Sequence, residues 1–224
     1  MKKRLLLIVL IMTFVLLVSS SACSNADRIK TYPERYEQFV SLLGESRETV
    51  LNQLNLSEND LVPAQKGLYS IPVSARYNGL TFSVTLEFDE INQRLLGFSY
   101  TKQWEDAWDD AVRDVGLLAK ALTKTYGEAR DDIDPVRFSS MTESELKEAF
   151  DSTSSQNTQV GTDYWLIEKR TSSVLSEYIA LIRKQNPTRK ILDEAMLSLN
   201  MQVFASKSID RAMAELRFRL DVME

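Results

Sequence analysis

The 224-residue chain contains no histidine and only one cysteine, Cys23. The first absence removes the commonest general base and the commonest nitrogen ligand for metals. Zinc and blue-copper chemistry are thereby excluded. With a single thiol, no disulfide can form within the chain, even in a compartment that would permit one. A basic surplus is missing too. Apart from the tip Lys2-Lys3-Arg4, the chain has 24 basic against 32 acidic residues, a net charge of −8. The excess lies in the middle: residues 87–151 hold 16 acidic and 8 basic side chains, while Trp165 onward is slightly positive, with 10 basic against 8 acidic. Such a body is poorly suited to nucleic acid and to electrostatic adhesion on anionic lipid.

What is present begins at the N-terminus. Lys2-Lys3-Arg4 precedes a 14-residue uncharged core, Leu5–Val18, and a run of small residues, Ser19–Ala22. A basic tip, an apolar core and small residues make a secretory signal peptide. The rival reading is one transmembrane anchor, for which the core is short against a span of about 20 residues. Cys23, directly after Ser21-Ala22, separates the two. The segment resembles the lipobox of bacterial lipoproteins, although Ser20 stands where that family prefers Leu. The resemblance implies cleavage before Cys23, a diacylglyceryl cysteine with fatty acyl chains such as palmitate, and a body held to the cell or outer membrane, facing away from the cytoplasm. An acylated Cys23 would leave no free thiol.

Beyond a polar tether, Thr31-Tyr32-Pro33-Glu34 reads as a helix start with Pro in the first turn. Its apolar stripe is Tyr36, Phe39, Val40 and Leu43, and Gly44 is its stop. Ser46 then caps a second helix bearing Val50, Leu51 and Leu54. Alternation over Tyr69–Tyr77 and Leu80–Phe88, broken by Asn78-Gly79, predicts a hairpin with a type I′ turn. Pro72 cannot donate to a ladder, which puts the first strand at an edge. A third strand is expected over Leu95–Thr101. A long amphipathic helix is expected over Trp104–Tyr126, with acidic first turns, Lys120 and Lys124 near its end, and Gly127 as stop. A short helix covers Thr142–Phe150, a polar loop Asp151–Thr162, and strands Tyr164–Lys169, Glu177–Lys184 and Leu197–Ala205. Residues Thr188–Met196 are ambiguous. Leu216–Val222 reads better as a strand than as a helix, because a period of two puts Leu216, Phe218, Leu220 and Val222 on one face and Arg217 and Arg219 on the other.

Two stretches look alike, Gly44–Leu54 and Ser140–Phe150, each with a hydroxyl cap four residues before an aliphatic one. They are either a tandem repeat or two unrelated capped helix starts. The first, Gly-x-Ser-x-x-x-Val-x-x-x-Leu, resembles the helix-plus-meander domain of SmpA/OmlA-type outer-membrane-assembly lipoproteins and β-lactamase inhibitor proteins. Asn55 stands where that family usually has Gly. The resemblance implies a protein-binding module without catalysis.

Candidate chemistry is weak. Ser144-Glu-Leu-Lys147 matches the S-x-x-K of penicillin-binding enzymes, but no Lys-Thr-Gly follows it, and it reads as a surface helix. Asp109, Asp110 and Asp114, or Asp131, Asp132 and Asp134, lack the spacing and glycine of a calcium loop and read as solvated acidic faces. Trp104 and Trp108 read as the buried anchor of the long helix, with an exposed sugar or peptide platform as the rival. The expectation is an α+β fold: signal peptide over 1–22, lipidated tether over 23–30, a helix-plus-meander half over 31–103, a connecting long helix over 104–130, and a second helix-plus-antiparallel-sheet half over 131–224. The expected function is a lipid-anchored, non-enzymatic extracytoplasmic protein that binds another protein or scaffolds the envelope, with no cofactor, metal or nucleic acid. The alternatives are a tethered receptor for a small ligand and a histidine-free hydrolase.

Overall fold

Apolar residues at every second position organise most of the body into strands. In the computed structural model, which describes residues 32–130, 138–153 and 158–223, seven strands form one antiparallel sheet in the order β1-β2-β3-β4-β7-β6-β5. They are β1 (Val62–Gln65), β2 (Leu68–Tyr77), β3 (Leu80–Phe88), β4 (Leu95–Glu105), β5 (Thr158–Arg170), β6 (Ile191–Ser206) and β7 (Arg211–Met223). The α-helices among the described residues are α1 (Tyr36–Ser41), α2 (Arg47–Leu54), α3 (Trp108–Tyr126), α4 (Glu143–Asp151) and α5 (Ser173–Gln185). The fold is α+β. The segment 1–31, with Cys23, lies outside the described residues, as do Asp131, Asp132 and Asp134.

Local chemistry accounts for several boundaries. Asn78 and Gly79 sit at φ 49° and 80°, and Tyr77 pairs with Leu80 across them, the two-residue turn that Asn-Gly favours. Ser46 Oγ accepts the Thr49 N–H at 3.2 Å and caps α2. The helix ends at Asn55 with φ 55°, a left-handed position that Asn tolerates nearly as well as Gly. On α4, Thr142 and Glu145 cap each other: Glu145 Oε2 accepts the Thr142 N–H at 2.7 Å, and Thr142 Oγ1 accepts the Glu145 N–H at 3.3 Å. Pro72 is at an edge only in part. β1 lies outside β2 but its pairing stops at Ser70, and Pro72 falls in a bulge between Ile71 and Ser74.

Two expectations are corrected and one ambiguity is resolved. Glu177–Lys184 is not a strand; it lies within α5. Leu175, Tyr178, Ile179 and Ile182 recur at helical spacing and are all buried, and Ser172 Oγ caps the helix on the Leu175 N–H at 3.1 Å. Trp104 is not in the long helix. It belongs to β4, which runs on to Glu105 because β7 offers it a backbone partner as far as Arg211. The ambiguous Thr188–Met196 resolves as a turn leading into β6, which starts at Ile191.

The two halves do not form separate sheets. Each contributes two helices followed by strands, α1 and α2 before β1–β4, then α3 and α4 before β5–β7. The last strand of each meets the other, and β4 pairs with β7 from Gly97–Arg219 to Glu105–Arg211. α5 stands in the second half where the first has the Asn78-Gly79 turn. It packs on β6 and reaches the first half, where Tyr178 donates to Asp89 at 2.8 Å and Gln185 exchanges amide hydrogen bonds with Asn92 at 2.8 and 3.1 Å.

The tail is the strand its alternation predicts, but it is an inner strand. Leu216, Phe218, Leu220 and Val222 are all buried. Phe218 stacks on Phe98 of β4 with ring centroids 5.1 Å apart and meets Tyr36 of α1 and Tyr126 of α3 edge-on. Replacing Phe218 with Ala should therefore cost about 3–5 kcal/mol. Met223→Ala, on the exposed end of the same strand, should stay within about 0.5 kcal/mol. Urea melts of the two variants make the comparison, and equal small losses would remove β7 from the core. Gly79→Val should cost about 1–2 kcal/mol through its backbone alone, because a side chain there meets no atom within 4 Å. An unchanged melting temperature would contradict the turn.

Candidate functional site

Strict alternation gives the sheet two chemically different faces. One is apolar and packs under α1 and α3. The other carries Ser83, Thr85 and Glu87 on β3, Ser99 and Thr101 on β4, Arg217 and Arg219 on β7, and Ser198 and Asn200 on β6, by register with the buried rows. Along β5, β6 and β7 this second face opens to solvent as a cleft of about 490 Å³. Tyr164, Asn200, Arg217, Arg219 and Asp221 line it, with Leu166, Leu192, Met196 and Met223 around them. A second, larger cleft of about 810 Å³ lies beside Glu87, Asp89 and Tyr178, and the two share Arg219, Asp221 and Met223 in their linings.

The centre of this face is a three-residue charge cluster that spans both halves. Glu87 is only 8% exposed. Its Oε2 accepts from Arg217 Nε at 3.1 Å and Nη2 at 2.8 Å, and its Oε1 accepts from Arg219 Nε at 3.1 Å. The carboxylate comes from β3 and the guanidinium groups from β7, so the bonds must cross β4. They cross at Gly97, which faces Glu87 on one side and Arg219 on the other. A Cβ at Gly97 would collide with the Phe218 carbonyl oxygen and lie 3.3 Å from Glu87 Oε2. Both arginines are well exposed, so the pairs themselves stabilise by roughly 1 kcal/mol or less. Their larger effect is to keep a nearly buried carboxylate from standing alone.

Around the cluster the polar groups are partly committed. Tyr164 donates its hydroxyl to Asp221 Oδ2 at 3.2 Å. Burial, reinforced by the Asp221 charge, raises the Tyr164 pKa, so the phenol stays a donor at neutral pH. Asn200 Oδ1 is buried and has no hydrogen-bond partner. On the turn nearby, burial works against ionisation of Asp89. The N–H groups of Ile91 and Asn92 and the Tyr178 hydroxyl outweigh it and hold the carboxyl below its usual pKa.

The residues singled out from sequence fall elsewhere. Ser144 and Lys147 are exposed on α4, where Lys147 pairs with Asp109 at 3.4 Å. Asp109 and Asp110 are exposed, but Asp114 is only 8% exposed and accepts the Trp104 indole N–H at 3.1 Å. It is a structural acceptor, not part of a solvated acidic face. Trp104 is buried from the sheet side, while Trp108 is half-buried on α3, edge-on to Phe150 with centroids 5.4 Å apart. No group of three or more acidic, histidine or cysteine side chains gathers as a metal site among the described residues. Sequence reading put Arg217 and Arg219 on the outer face. It had no means of finding Glu87, 130 residues away in the chain.

If Gly97 is the gap through which the halves are joined electrostatically, Gly97→Ala should cost about 1–3 kcal/mol. It should also loosen β4 from β7. Amide hydrogen exchange at Phe98 and Tyr100, whose N–H groups face β7, is the measurement, and unchanged protection there would mean the close approach is not required. Comparison with protein-family models, with curated proteins and with solved structures gives no match for this chain.

Proposed function

We propose that this protein is a lipid-anchored extracytoplasmic module without enzymatic activity, which binds another protein through the open face of its sheet. The observation that carries this reading is the face around β7. It mixes guanidinium, carboxylate, amide and hydroxyl groups with Leu and Met side chains, and it lies over β7, β6 and the edge strand β5. Interfaces of non-obligate complexes have that mixed character, and are no more apolar than ordinary surface.

A receptor for a small ligand is the second reading, favoured by the size of the two clefts. Against it, both are broad and lined by charged side chains, whereas small-molecule sites are mostly apolar and enclosed. The larger exposed apolar residues, such as Val62, Ile91, Leu117 and Ile209, lie on separate elements and offer no competing surface.

The anchor and the face are tested separately. Cys23→Ser should release the protein from membranes or leave an unprocessed precursor in fractionated cells. Processing and membrane retention as before would end the lipoprotein reading. For the face, a photo-crosslinking amino acid at Leu166, on the cleft, should give a discrete protein adduct in intact cells. The same group at Leu117, on the exposed side of α3, should not. Absence of a protein adduct from Leu166 would count against protein binding through this face.

A further inference from the structure

Building on the protein-binding reading, we infer that the cleft over β6 and β7 receives an extended peptide segment bearing an acidic side chain beside an aliphatic one. The charges favour an acidic guest. Glu87 uses Nε and Nη2 of Arg217 and Nε of Arg219. Among the described residues, Arg217 Nη1 and both terminal amino groups of Arg219 have no hydrogen bond, and Arg219 Nη1 lies 3.9 Å from Asp221 Oδ1. These groups are on the cleft wall, on side chains 35% and 46% exposed, while the Glu87 side chain is 11% exposed. Within the cleft over β6 and β7 a basic guest would find only Asp221, already held by the Tyr164 hydroxyl; Glu87, Asp89 and Glu90 line the neighbouring cleft instead. A carboxylate would find a ready fork of guanidinium donors.

Asn200 points to a peptide. Its Oδ1 is buried in the cleft floor with no donor, and a backbone N–H would supply one. With the amide turned over, the unpartnered group would be an N–H instead, and a backbone carbonyl would serve it equally. The walls define the neighbouring side chain. Leu166, Leu192 and Met196 line the same cleft, and thioether and branched apolar groups adapt to an aliphatic residue. The lining suits an extended chain, because Tyr164, Asn200 and Arg217 are register partners in a row across β5, β6 and β7.

The test uses the full-length lipidated protein in detergent micelles and a display library of random twelve-residue peptides. Enriched peptides should carry Asp or Glu next to Leu, Ile or Val. An enriched peptide, labelled and titrated by fluorescence anisotropy at a temperature where circular dichroism shows each variant folded, should lose at least tenfold in affinity with Arg219→Gln and with Asn200→Ala. Arg219→Glu, screened anew, should enrich basic peptides. Enrichment of basic or uncharged peptides by the native protein overturns the inference, as does binding that ignores Arg219→Glu. Failure of the library to yield any peptide, beside a protein adduct from Leu166, would overturn this cleft chemistry and leave protein binding standing. No peptide and no adduct would end both.

Discussion

Pairing of β4 with β7 is the contact on which the rest of the molecule rests. Each strand is the last of its half. Left alone, each would present a long row of unpaired N–H and C=O groups above an apolar face. Joined, they bring Phe98, Tyr100, Leu216 and Phe218 together as the floor for α1 and α3. The loop that must close to make this pair exceeds a hundred residues, yet loop entropy grows only slowly with length. Burial of one aromatic ring is enough to offset the increment that such length adds.

The seam also explains the character of the opposite face. An inner strand is buried on one side whatever the other side carries, so β7 can display Arg217 and Arg219 without endangering the core. Glu87 then reaches them across Gly97, and the polar cluster becomes a second tie between the halves, above the aromatic one. A surface built this way is rigid. Most of its side chains stand on β6 and β7, which are paired on both sides, and such surfaces lose little conformational freedom when a partner arrives.

How much of this could be read in advance depended on whether the signal was local. The Asn78-Gly79 turn, the caps at Ser46 and Thr142 and the alternation of Leu216–Val222 rest on neighbours in sequence, and all were legible. The helix α5 was not. Tyr178, Ala180 and Ile182 alternate as well as a strand would, and β-branched residues favour that reading. What decides for a helix is remote: Leu175 packs against Gly44, where a Cβ would come within 2.7 Å of it, and Tyr178 bonds to Asp89. Trp104 was misplaced for a similar reason, since its strand continues only because β7 lies alongside. The charge cluster was the least accessible of all. Its arginines could be assigned a face, but their partner depended on the strand order of the sheet.

The position of β7 has a consequence for how the body comes into being. β7 follows every other strand in the chain, yet it occupies the space between β4 and β6. As the polypeptide emerges from a ribosome, neither half can find its final neighbour until this strand has appeared. Up to that moment β4 and β6 are open edges, and the aromatic floor lacks Phe218. The ordering of strands thus acts as a timer. It withholds cooperative closure until the strand at the centre is delivered, and leaves the earlier segments as unfinished chain until then.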